Sequence, residues 1–60
     1  MNVDNQTILL VEGDEILAEI TSFRLELLGY RVRHEASAES ALACIQETPP
    51  GLIILDLYLP

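Results

Sequence analysis

Several things are scarce in these 60 residues, and each scarcity narrows the possibilities. There is no lysine, and only three arginines stand against ten acidic residues, giving a net charge of −7. A nucleic-acid surface needs clustered lysine and arginine, so direct nucleic-acid binding by this segment is not expected. The single cysteine, Cys44, has no partner for an internal disulfide and no neighbours at metal-ligand spacing. The uninterrupted apolar strand-like runs, Ile8 to Val11 and Leu52 to Leu55, are four residues each, far short of the roughly 20 needed to span a membrane. No basic stretch leads into an apolar one at the N-terminus, as a secretory signal requires. These absences lead to the expectation of a cytoplasmic protein without a membrane contact. Half of the residues are apolar, which excludes a disordered acidic tail. The acid excess is compatible with a cation site.

Glycine occurs only at 13, 29 and 51, and proline only at 49, 50 and 60, so the punctuation is clean. Thr7 to Val11 reads as a strand buried on both faces. Asp14 to Leu28 reads as a helix with Ile16, Ile20, Phe23 and Leu27 on its apolar face and Glu15, Glu19, Ser22 and Glu26 on the wet one. Asp14 is its expected N-cap and Gly29 its C′ residue. Tyr30 to His34 alternates like an edge strand, with Arg31 and Arg33 outward. Ser37 is expected to cap a second helix that turns Ala38, Ala41, Leu42 and Ile45 inward and ends at Pro49-Pro50-Gly51. Leu52 to Leu55 is a second apolar strand. Phe23 and Tyr30 are expected in the core, Cys44 as a small buried hydrophobe, and His34 as a half-exposed strand residue rather than a ligand.

The order β-α-β-α-β implies a parallel sheet. A polar second strand belongs at an edge, and right-handed crossovers then give strand order 2-1-3 with a helix on each face. Ligands in such sheets bind beyond the carboxyl ends of the strands, where the winding reverses. Glu12 and Asp14 follow the first strand and Asp56 ends the third, so three carboxylates are expected near one point. Clustered carboxylates repel unless a cation neutralises them, and an all-oxygen set suits Mg²⁺. A carboxylate beside Mg²⁺ can act as a nucleophile toward phosphorus. The third strand is entirely apolar, yet 2-1-3 order leaves it at an edge. A further strand is expected beside it, from sequence past Pro60 or from self-association through that edge. A domain of this length without disulfides is marginal by itself.

Ile8-Leu9-Leu10-Val11-Glu12-Gly13-Asp14-Glu15 and Leu52-Ile53-Ile54-Leu55-Asp56-Leu57-Tyr58-Leu59-Pro60 resemble the two acidic motifs of response-regulator receiver domains. Gly29-Tyr30-Arg31-Val32 and Ser37-Ala38-Glu39-Ser40-Ala41-Leu42 resemble the same family's second strand and second helix. The resemblance implies a flavodoxin-like, doubly wound α/β fold with strand order 2-1-3-4-5, of which residues 1–60 would be the N-terminal part, supplying the first three strands and two helices. It implies a phosphoacceptor rather than a conventional enzyme. Asp56 would take a phosphoryl group from a sensor histidine kinase or phosphotransfer protein, and a C-terminal output domain would follow. Mg²⁺ would be held by Glu12, Asp14, Asp56 and the Tyr58 carbonyl.

Two departures stand out. The second acid of the family's pair is Gly13 here, leaving Asp14 as the nearest substitute. The family's later hydroxyl residue and lysine have no counterpart in this sequence. The departures leave an alternative, a degenerate receiver that works by protein contact without phosphorylation. Val11-Glu12-Gly13 also resembles the first motif of Toprim domains, a Mg²⁺-dependent fold. The expected second motif, Asp-x-Asp, reads Asp56-Leu57-Tyr58 and lacks its second acid.

Overall fold

The punctuation marks become element boundaries in the structure, a computed structural model that describes residues 4–55. The elements are β1 (Asp4–Val11), α1 (Glu15–Leu27), β2 (Arg31–Glu35), α2 (Ala38–Glu47) and β3 (Pro50–Leu55). Their order β-α-β-α-β, with all pairings parallel and sheet order β2-β1-β3, is the expected first half of a flavodoxin-like receiver fold. Residues 56–60, including the expected site residues Asp56 and Tyr58, lie outside the described residues.

The ends of α1 follow from local chemistry. Asp14 is extended, at φ −95° and ψ 116°, and its Oδ1 accepts from the N–H groups of Ile16 at 2.9 Å and Leu17 at 3.1 Å. Two of the four unpartnered N–H groups of the first turn are thereby satisfied. At the other end Gly29 has φ +97°, a left-handed conformation in which a side chain is strained. Its N–H donates to the Glu26 carbonyl at 3.0 Å and the Tyr30 N–H to the Leu25 carbonyl at 3.2 Å. This pair of bonds is the Schellman closure. Ser37 caps α2 through Oγ, which accepts from the Ser40 N–H at 3.3 Å. Its own carbonyl accepts from Ala41 at 3.1 Å.

The register pairs Thr7 through Val11 with Arg31 through Glu35 on one side, and Ile8 through Val11 with Leu52 through Leu55 on the other. Pleating sends Leu9 and Val11 to one face of the sheet and Ile8 and Leu10 to the other. Leu9 and Val11 are buried with Ala41 and Cys44 of α2, and Ile45 packs against that cluster. Ile8 and Leu10 are equally buried, on the face that α1 crosses.

The structure corrects the expected helix faces. Ile16, Phe23 and Leu27 are 70%, 63% and 71% exposed, and Ile20 is also exposed. The fully buried residue of α1 is Ala18, and Thr21, Ser22 and Leu25 are half-buried, so the small-residue side of the helix meets the sheet. Tyr30 is exposed rather than in the core, as are Ala38 and Leu42. The cause lies in where the helices sit. α1 packs against β2, and α2 against β1 and β2, so both lie toward the β2 side. Nothing among the described residues covers β3, where Leu52 and Leu55 are 55% and 57% exposed. The expectation of an uncovered apolar third strand is met. It starts earlier than expected, at Pro50, which pairs with Asp4 across an irregularity in the ladder.

Candidate functional site at the carboxyl ends of the strands

The winding reverses between β2 and β3, with β1 in the middle, so the switch point lies at the tip of β1. Glu12 is the first residue past that tip and is half-buried. Its N–H donates to the Glu35 carbonyl at 3.0 Å, continuing the β1–β2 ladder by one rung. Its carboxylate Oε2 accepts from the Asp14 N–H at 3.3 Å. Asp14 is exposed and commits Oδ1 to the first turn of α1. The segment 12–14 is thus a short connection in which each acid holds part of the turn that carries it.

Gly13 sits between them. Positive φ among the described residues is confined to Gly29, so the backbone at Gly13 does not demand glycine. An aspartate could occupy this position without the left-handed strain that Gly29 avoids.

One contact at the tip was not anticipated. The His34 ring lies 2.7 Å, Nε2 to oxygen, from the Glu12 carbonyl. A carbonyl only accepts, so Nε2 carries the proton. His34 is exposed, as a strand-edge residue should be, but it is tied to the acid-bearing loop. The register signals why: His34 pairs with Leu10 and shares its face. On that face the ring lines a groove with Ala18, Ser22 and Glu19 of α1.

Of the four oxygen donors implied for a cation, the described residues hold Glu12 and Asp14. Among the described residues no three His, Cys, Asp or Glu side chains form a group that could hold a metal. Each of the two carboxylates has one oxygen turned to a backbone N–H, and the remaining oxygens could join waters around Mg²⁺, an ion that is commonly held by one or two carboxylates.

Comparison with known proteins shows what this chain is similar to. The chain is 33% identical over 60 residues to a probable transcriptional regulator, ycf27, of Cyanophora paradoxa, covering all of this chain and 25% of that protein. It is 37% identical over 54 residues to the transcriptional regulatory protein AfsQ1 of Streptomyces coelicolor, covering 90% of this chain and 24% of the relative. It is 36% identical over 56 residues to the alkaline phosphatase synthesis transcriptional regulatory protein PhoP of Bacillus subtilis, covering 93% and 23%. The chain is homologous to the receiver region of response regulators. It spans about a quarter of the length of the curated relatives it matches. No family model and no solved structure matches it.

Of the two acidic segments singled out in the sequence, the described one is Glu12 to Glu15. The second, at Asp56, follows Leu55, which the register pairs with Val11, the residue before Glu12. No helix among the described residues is long and apolar enough to cross a membrane.

Proposed function

We propose that this chain is the first half of a phosphoacceptor receiver in a cytoplasmic two-component response regulator. Asp56 takes the phosphoryl group from a sensor histidine kinase or a phosphotransfer protein. A carboxylate oxygen of Asp56 attacks phosphorus, the bond from phosphorus to the donor's imidazole nitrogen breaks, and an acyl phosphate forms. Glu12, Asp14, Asp56 and the Tyr58 carbonyl are the donors assigned to Mg²⁺, which would neutralise charge on the phosphoryl oxygens when bound. An output domain beyond this segment converts phosphorylation into a response.

The observation that carries this reading is homology along the whole chain to regulators, joined to a register that pairs Val11 with Leu55. The residues next in sequence are Glu12 and Asp56, one from each acidic motif. The receiver relatives favour this reading over the Toprim one.

Phosphoryl transfer from an autophosphorylated histidine kinase tests it, comparing wild type with Asp56→Asn in the full-length protein. The variant should accept none; uptake at wild-type stoichiometry would assign the acceptor elsewhere.

A second reading, a receiver that acts by contact alone, is favoured by Gly13, which removes one acid from the pair, and by the capping role of Asp14. A Mg²⁺ titration separates the two. Saturable binding that tightens in Gly13→Asp supports the phosphoacceptor, and no binding at millimolar Mg²⁺ in wild type supports the contact module.

A further inference from the structure

In a parallel ladder a residue donates to one neighbour on the adjacent strand and accepts from the N–H two positions further along it. Glu12 donates to the Glu35 carbonyl, so its own carbonyl would ordinarily accept from the N–H of Ser37. That rung does not form. β2 ends at Glu35, and the chain turns away so that Ser37 can cap α2. The Nε2–H of His34, three residues earlier, reaches the Glu12 carbonyl instead, at 2.7 Å. A side chain thus completes the ladder where the backbone has left the sheet.

The next residue is Gly13, which has no side chain to pack and the widest backbone freedom of any residue. A Glu-Gly peptide is held in place by the bonds it makes with its neighbours. The His34 bond holds it from one side, and the Glu35 bond holds the same residue's N–H. The ring lines a groove with Ala18 and Ser22 of α1.

We infer that His34 is a positioning residue for the acid site: its Nε2–H pins the Glu12–Gly13 peptide and so sets the direction in which the Glu12 carboxylate is presented. Nε2 carries a hydrogen in both the Nε2–H neutral tautomer and the charged ring. The inference rests on the phosphoacceptor reading, since it names a residue that prepares that same site.

The test uses the full-length protein and two variants. His34→Phe keeps a flat ring and removes the donor. His34→Gln places an amide N–H at a similar reach and should restore it. Three readouts are taken: the imidazole tautomer by long-range nitrogen–proton NMR in the wild type, the phosphoryl uptake rate from acetyl phosphate with Mg²⁺, and the melting temperature. The wild-type ring should hold its proton on Nε2. His34→Phe should slow uptake by roughly fivefold, the scale of one hydrogen bond, with an unchanged melting temperature. His34→Gln should recover most of the rate. A neutral ring protonated on Nδ1, wild-type uptake in His34→Phe, or no recovery in His34→Gln would overturn the inference. Asp56→Asn, run alongside, separates the two levels. Uptake that persists in it, or is absent from the wild type, overturns the phosphoacceptor reading and this inference with it. Loss of uptake in Asp56→Asn together with normal uptake in His34→Phe overturns only the role of His34.

Discussion

Two apolar parts of the molecule, the middle strand under α2 and the strand beside it, end in different states. On the face that α2 covers, Leu9 and Val11 of β1 meet Ala41 and Cys44, and all four are buried. Toward β3, Leu52, Ile53 and Leu55 are as apolar as their partners in β1 yet remain exposed, and the Ile16–Phe23–Leu27 face of α1 is exposed as well. The difference is not composition but coverage, because both helices pack toward β2. Hydrophobicity alone therefore does not identify the residues that stabilise this chain. Position relative to the helices does.

The sharpest way to break that comparison is a matched pair of truncations. Leu9→Ala should cost about 3 kcal/mol in urea denaturation, from lost burial plus a cavity. Leu27→Ser should change stability in the 60-residue chain by less than about 0.5 kcal/mol, as substitutions of exposed residues do. Similar costs at the two positions would mean that the α1 face is covered after all. Next in size is Gly29→Ala. Nothing lies within 4 Å of the added methyl, so the whole cost is backbone strain at φ +97°, about 1–2 kcal/mol by thermal melting. Ser37→Ala should cost about 1 kcal/mol, because it removes the acceptor for the Ser40 N–H on the closed side.

Much of this was legible in the chain. The strand order followed from one polar strand among three and from crossover handedness. The caps followed from Asp14, Ser37 and Gly29, residue types that satisfy helix ends by local chemistry alone. The orientation of α1 was not legible, because two faces competed. Ile16, Ile20, Phe23 and Leu27 form the larger apolar stripe, but a three-stranded sheet with both helices toward β2 buries the Ala18–Leu25 side. Local periodicity cannot tell which stripe a sheet of given width will reach. At the site, Glu12 and Asp14 were proposed from their place after an apolar strand, while Asp56 and Tyr58 lie outside the described residues. The role of His34 escaped because it depends on where β2 leaves the sheet, a tertiary fact that a lone histidine on an edge strand does not advertise.

The chain lacks one acid at Gly13 and is proposed to accept a phosphoryl group on Asp56 all the same. The most direct measurement is the intact mass of the purified full-length protein before and after incubation with acetyl phosphate and Mg²⁺, followed by mapping of the modified peptide. The account expects a gain of one phosphoryl group, located at Asp56. No gain, or a gain located at another residue, would contradict it.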